Sequence, residues 1–148
     1  IKSMDAIRVK KLRKNAIVPT YGSEEAAGAD LYACMDEKVT IEPGESAWIN
    51  SGVAVELPRG YVGLIFARSS MGVKRGLAPA NKVGVIDSDY RGELRVVLHN
   101  HSKTIQQVEP GERIAQLVIV PIITPGFVVV DDLSDTLRAD KGFGSTGK

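Results

Sequence analysis

Cysteine is almost missing: Cys34 stands alone in 148 residues. No disulfide can form within the chain, and a reducing compartment is the natural expectation. Excess charge is missing as well. The 19 Lys and Arg against 18 Asp and Glu leave a formal net charge of +1. This argues against a general nucleic-acid binder, which carries a basic excess to neutralise several backbone phosphates. No apolar run reaches the length of a membrane span, and no secretory h-region is present. The expectation is a soluble, cytoplasmic protein without membrane contact. Histidine is nearly as scarce, with 2 residues, both in "HNH" at 99–101. His-x-His on a strand can put two imidazoles on one face for a metal. No Cys, Asp or Glu cluster sits nearby in sequence, so no metal site is expected there. Asn-x-Ser at 100–102 is a formal glycosylation acceptor, with little meaning in a chain that shows no signal peptide.

What is present fits one globular domain of ordinary size, since 43% of residues are hydrophobic and 25% charged. At this length further burial between subunits would help stability. Short β-type runs recur at Val39 to Ile41, Ala47 to Ile49, Val53 to Leu57, Tyr61 to Phe66, Glu93 to His99, Ile114 to Ile123 and Phe127 to Val130. Turn clusters separate them: "EPGE", "LPRG", "SDYRG" and a second "EPGE". Pro then Gly suits the centre of a type II turn, because Pro presets φ and Gly accepts the positive φ that follows. Many short strands between such turns indicate an all-β, jelly-roll-like sandwich or barrel. The repetition of "EPGE" is ascribed to good turn chemistry rather than to an internal repeat. Only "SSMGVKR", 69–75, has room for a helix, of about two turns, with Ser69 or Ser70 as its cap. The basic residues among the first fourteen flank Ile7 and Val9 and fit an exposed edge strand, which lysines commonly protect. The domain is expected to cover residues 1–130, and residues 131–148, poor in apolar groups, to form a mobile C-terminal arm.

The end of that arm, "KGFGSTGK", contains G-x-x-x-x-G-K from Gly142 to Lys148. A P-loop lies between a buried strand and a helix, with Ser or Thr after its Lys. None of that context is present. The glycine amides, the Ser145 and Thr146 hydroxyls and Arg138 could still grip an anion, and Phe143 could cover a flat ring. A floppy Gly-rich terminus accounts for the same residues.

"NKVGVIDSDYRGEL", 81–94, gathers Asp87, Asp89, Tyr90 and Arg91 between two strand-like segments. If extended, the run would put both aspartates on one face. A carboxylate held in a partly desolvated loop could take a proton from water and aim it at an electrophile. Both aspartates could equally form Asx turns. In "FARSSMG", 66–72, Arg68 and two hydroxyls stand where a strand enters the expected helix, a position that favours anions. A plain Ser cap is the alternative. "AAGADL", 26–31, presents an Asp after a small-residue turn and signals nothing by itself.

Together, "AGADL" (27–31), "ARSSMG" (67–72), "NKVGVIDSDYRGE" (81–93), "GERIAQL" (111–117) and "RADKGFGSTG" (138–147) match in order the five motifs of the trimeric dUTPases. The chain thus resembles that family of deoxyuridine triphosphate nucleotidohydrolases. The resemblance implies a jelly-roll subunit in a homotrimer whose active sites are each built from several subunits. It also implies Mg²⁺-dependent hydrolysis of dUTP to dUMP and pyrophosphate, which limits uracil incorporation into DNA and supplies dUMP for dTMP synthesis. By the same resemblance Asp87 would activate the attacking water. Asn81 and the backbone of Gly84, Val85 and Ile86 would read uracil, and Tyr90 would lie beneath the deoxyribose. Arg68, Ser69 and Ser70 would hold phosphates. Gln116 and Asp30 would face the metal indirectly, through water, or in the case of Asp30 support the catalytic centre. Arg138 and Phe143, Gly144, Ser145 and Thr146 would close over the nucleotide. The "ADK" after Arg138 departs from relatives that carry Gly there. A dCTP deaminase of the same superfamily, and a nucleotide-switched regulatory binding protein on the same scaffold, are the alternatives.

Overall fold

The computed structural model describes residues 6–144. Eleven strands are found among them: β1 (Arg8–Lys11), β2 (Thr20–Tyr21), β3 (Ala29–Tyr32), β4 (Val39–Ile41), β5 (Ser46–Glu56), β6 (Tyr61–Phe66), β7 (Leu77–Pro79), β8 (Gly84–Ile86), β9 (Glu93–Asn100), β10 (Gln106–Val108) and β11 (Arg113–Pro121). They form a four-stranded sheet in the order β1-β5-β9-β7, a five-stranded sheet in the order β2-β3-β11-β6-β8, and a ribbon of β10 and β4. This is the all-β sandwich that alternating short runs and Pro-Gly turns predict.

Alternation builds the core. Along β9, Leu94, Val96, Leu98 and Asn100 point inward and their neighbours do not. They meet Leu31, Ile114 and Leu117 from the other sheet. Each fully buried leucine contributes about 1.5–3 kcal/mol relative to an exposed one. Asn100 is the polar exception. Its Nδ2 donates to the carbonyls of Ile41 (2.9 Å) and Thr104 (2.8 Å), and its Oδ1 accepts from Ser102 N (2.9 Å) and Oγ (2.6 Å). A fully paired amide is tolerated inside, where an unpaired one would not be. Asn100 is 0% exposed, so the Asn-x-Ser at 100–102 is closed to modification in the folded chain.

Both "EPGE" segments are type II turns. Gly44 has φ +81 and Gly111 φ +80, and Glu45 N and Glu112 N bond back to Glu42 O and Glu109 O at 3.0 and 3.2 Å. They lie at opposite ends of the antiparallel β4–β10 ribbon, and each delivers the chain into a different sheet. The repeated tetrapeptide therefore occupies equivalent places in the two halves of the sandwich.

Several expectations change. The runs at 47–49 and 53–57 are one strand, β5, bent by a bulge between Asn50 and Ala54. There Gly52 has φ +74, and a Cβ would sit 2.7 Å from Cys34 Sγ and 2.8 Å from Ala16 Cβ. The helix is a single wide π-type turn, Ser70–Lys74, and Ser69 is helical itself and caps nothing. Phe127 to Val130 forms no strand, since no sheet edge among the described residues pairs with it, and Phe127 and Val129 are almost fully exposed. "AAGADL" is no mere turn: its last residues enter β3 between β2 and β11. The basic N-terminal stretch is the expected edge strand, β1, where Arg8 pairs with Glu56 at 3.3 Å.

Candidate active site

Antiparallel register brings three of the quoted segments together. On β11, Gln116 stands opposite Asp30 of β3 on one side and Phe66 of β6 on the other, and Arg68 follows two residues later. Arg68 Nε donates to Asp30 Oδ1 at 3.0 Å, and its Nη1 to Ser70 Oγ at 3.2 Å. Arg113 approaches the other Asp30 oxygen at 3.8 Å. Gln116 Nε2 donates to Ala67 O at 2.9 Å. Its side chain fills the space that a Cβ on Gly28 would occupy, 3.0 Å from Gln116 Cβ and Cδ. Ser69 is exposed beside this cluster. The group concentrates guanidinium, hydroxyl and amide donors at the end of one sheet, a set suited to phosphate oxygens.

The turn Ser70–Lys74 is fastened to this end. Arg75 Nη1 bonds the Glu112 carboxylate and Met71 Sδ, and its Nη2 bonds the carbonyl of Gln107. Glu112 in turn accepts from Glu109 N at 2.9 Å. "ARSSMG" and "GERIAQL" are thereby tied through a residue that belongs to neither.

The fourth segment lies elsewhere. β8 pairs with the outer edge of β6, with Ile86 opposite Gly63. Before it, Lys82 takes φ +71, and Lys82 N and Val83 N bond Pro79 O (3.0 Å) and Asn81 O (2.8 Å). Asn81 Nδ2 lies 3.6 Å from where a Cβ on Gly84 would be. After β8, Tyr90 N bonds Asp87 O at 3.1 Å, so residues 87–90 form a turn. Asp87 and Asp89 therefore do not share the face of an extended run. Asp87 is exposed rather than partly desolvated, and among the described residues neither carboxylate makes the hydrogen bond an Asx turn needs. Asp87 and Tyr90 line a cavity of about 200 Å³ with Trp48, Val85, Ile86, Glu93 and Arg95. Arg95 lies over the Trp48 ring at 5.1 Å from its centroid. Behind the cavity Arg13 Nη1 donates to Glu93 Oε2 at 2.6 Å. That hydrogen bond is the main cause that raises the Arg13 pKa.

These two regions do not meet in one chain. Ile86 is level with Gly63, so Asp87 is level with Val62, six residues before Arg68 along β6 and the two residues that follow it. At ~3.3 Å per residue this is about 20 Å.

In the arm, Arg138 Nε donates to Lys141 O at 2.6 Å and Lys141 N to Arg138 O at 3.2 Å. Ala139 takes φ +54 within this turn, so the departing "ADK" makes a tight reversal. Phe143 is fully exposed and Gly144 has φ +82. Ser145 and Thr146 fall outside the described residues. The histidines are committed separately: His99 Nδ1 to Ser46 Oγ (2.9 Å), His101 Nε2 to Gly72 O (3.1 Å). No group of three His, Cys, Asp or Glu among the described residues could hold a metal.

Gly28, Arg75 and Arg113 escape sequence reasoning. All three stand inside quoted segments, Gly28 in "AGADL", Arg75 in "SSMGVKR" and Arg113 in "GERIAQL", without being marked as site residues. The Arg113 contact depends on β3 and β11 being neighbours, and those of Arg75 on the turn Ser70–Lys74 lying against β10 and the start of β11.

The dUTPase family model matches residues 14–147. A deoxyuridine 5'-triphosphate nucleotidohydrolase of Hydrogenobaculum sp. is 48% identical over 139 residues, covering 94% of this chain and 96% of that protein. One of Nautilia profundicola is 46% identical over 142 residues, covering 96% and 99%. Among solved structures, the Staphylococcus bacteriophage 80alpha dUTPase G164S mutant with dUpNHpp superimposes with a TM-score of 0.89 at 35% identity, covering 98% of this chain and 100% of that one. The dUTPase of phage phi11 of S. aureus gives 0.81 at 31% identity, covering 89% and 100%. With the motifs in order along a shared sandwich, the chain belongs to the dUTPase family.

Proposed function

We propose that this chain hydrolyses dUTP to dUMP and pyrophosphate, in a homotrimer whose sites are shared between subunits. The carrying observation is the split site. A donor cluster (Arg68, Ser70, Gln116) and a hairpin with a carboxylate (Asp87, Tyr90) lie about 20 Å apart along β6 in one chain. A triphosphate held by the first reaches an Asp87 only when a second copy presents its hairpin. Phe127 to Val130 supports the same assembly, being an apolar run with no cover of its own among the described residues.

In this reading the Gly84–Ile86 backbone and Asn81 bind the uracil edge. Gly84 has space for no side chain without crowding Ile65, whose Cβ would lie 3.3 Å away, so β8 lies close on β6, and in this reading the tight hairpin has no room for thymine's methyl group. The Tyr90 ring lies under the deoxyribose. Asp87 accepts a proton from the water that attacks the α-phosphorus. The new P–O bond forms as the bond to the β-phosphate oxygen breaks, and pyrophosphate leaves. Arg68, held by Asp30, and the Ser69 and Ser70 hydroxyls neutralise and orient the phosphates. Arg138 and the segment Phe143 to Thr146 close over the nucleotide as a mobile arm beyond a domain that ends near residue 130, with Phe143 on the uracil. Bound Mg²⁺ supplies charge neutralisation on the triphosphate. Both Asp30 oxygens already face guanidinium groups. Asp30 and Gln116 would therefore hold such an ion only through water, and it would supply charge neutralisation beside Arg68. Such an activity limits uracil incorporation into DNA and supplies dUMP for dTMP synthesis.

The test is pyrophosphate release from dUTP, dCTP, dTTP and UTP, with and without Mg²⁺. Turnover of dUTP alone, lost on chelation, is expected. Ammonia from dCTP would establish the deaminase instead.

A further inference from the structure

Gly92 stands in "YRGE" where neither turn nor strand obviously needs it. Its φ is not in the left-handed region, so alanine fits its backbone. What alanine does not fit is Tyr90. A Cβ on Gly92 would lie 2.6 Å from Tyr90 Cζ, 3.0 Å from Cε1 and closer still to Oη. The tyrosine ring thus rests on a bare Cα. Its hydroxyl then donates to Glu93 O at 2.8 Å. Glu93 is itself immobilised, because its carboxylate accepts from Gly52 N at 2.7 Å on the β5 bulge and from Arg13 Nη1 at 2.6 Å and Nη2 at 3.3 Å. Ring, carbonyl and bulge form one chain of contacts from the edge strand region to the cavity that holds Asp87.

We propose that Gly92 and Glu93 are the seat of Tyr90, and that the missing side chain at Gly92 determines the preference for deoxyribose over ribose. The inference rests on the dUTP reading, with Tyr90 as the floor beneath the sugar. With a methyl group at 92 the ring has to leave. Tyr90 is 39% exposed, so it can swing into solvent without disturbing the core. The floor then opens where a 2′-hydroxyl would project, while Asp87 and the donor cluster stay in place. Selectivity is lost and fold is kept.

The variants Gly92→Ala, Tyr90→Phe, Tyr90→Ala and Gly92→Ala/Tyr90→Ala test this by two readouts. In the first, Gly92→Ala raises the UTP:dUTP ratio of kcat/KM by about tenfold or more, chiefly through KM for UTP. Adding it to Tyr90→Ala changes that ratio by less than about twofold, because the clashing ring is gone. Tyr90→Phe, which keeps the ring and loses the bond to Glu93, moves the ratio the same way by less. The second readout needs no nucleotide: nitration of Tyr90 by tetranitromethane, located by mass spectrometry, is faster in Gly92→Ala than in the parent. An unchanged ratio in Gly92→Ala, or an equal effect with Tyr90 already removed, overturns the specificity role. Unchanged nitration overturns the seat. A parent chain without dUTP turnover sinks the functional reading and the sugar-specificity role built on it, while nitration still decides the seat.

Discussion

Arg68, two residues beyond the end of β6, and Asp30 of β3 meet through Nε and Oδ1 at 3.0 Å, with side chains only 21% and 13% exposed. Arg113 adds a second cation to the same carboxylate. Asp30 thus fixes the direction of Arg68 through Nε while Nη1 donates to Ser70 Oγ at 3.2 Å, and in the proposed function Nη2 is the nitrogen left to face phosphate. Asp30→Asn keeps the shape and removes the charge. Its kcat/KM for dUTP should fall by about ten- to a hundredfold, since hydrogen bonds to charged groups are worth about 1.5–3 kcal/mol. Steady-state kinetics within twofold of the parent would remove Asp30 from this role.

Asp87 is exposed, and among the described residues it contacts its turn only through its backbone. Asp87→Asn should therefore fold normally and bind a non-hydrolysable dUTP analogue with near-parental affinity. Turnover should drop by about 10²–10⁴, the scale of a lost general base. Calorimetry for binding and pyrophosphate release for turnover separate the two, and near-normal turnover would require another base.

Residues 138–144 contribute no buried side chain. Deleting residues 138–148 should leave the thermal transition and the subunit assembly unchanged while activity nearly disappears. Size-exclusion chromatography with light scattering, beside the dUTP assay, checks both halves. An active truncation contradicts the closing role of Arg138 and Phe143.

Asn100 makes four side-chain hydrogen bonds at full burial. Asn100→Ala removes the partner of Ser102 N and one donor each from the carbonyls of Ile41 and Thr104, leaving Ser102 Oγ only its bond to Thr104 O at 3.0 Å, and should cost about 2–4 kcal/mol of unfolding free energy. Urea denaturation measures it. A loss below ~1 kcal/mol would mean that water replaces the amide.

Much of the fold was legible from local chemistry. Glu93 to His99 alternates as a strand must, and the Pro-Gly turns fall where the positive φ of Gly44 and Gly111 is needed. These signals are carried by neighbouring residues, so no tertiary knowledge is required. The break between the runs 47–49 and 53–57 misled for the same reason: locally the alternation lapses at residues 50–52, and only the partner strand β9 makes them a bulge inside β5.

The sequence by itself determined an all-β chain, the order of five motifs and the residue types that could grip a nucleotide, because periodicity, turn preference and side-chain chemistry are properties of short segments. Tertiary structure alone decided which of them meet. Pairing of β3, β11 and β6 places Asp30, Gln116 and Arg68 together, and the attachment of β8 to the far stretch of β6 carries Asp87 away from them. Strand order is a long-range choice made by burial of whole faces. It also decided the tasks of Gly28 and Gly92, whose value lies in the side chains of Gln116 and Tyr90 that stand where their own would be.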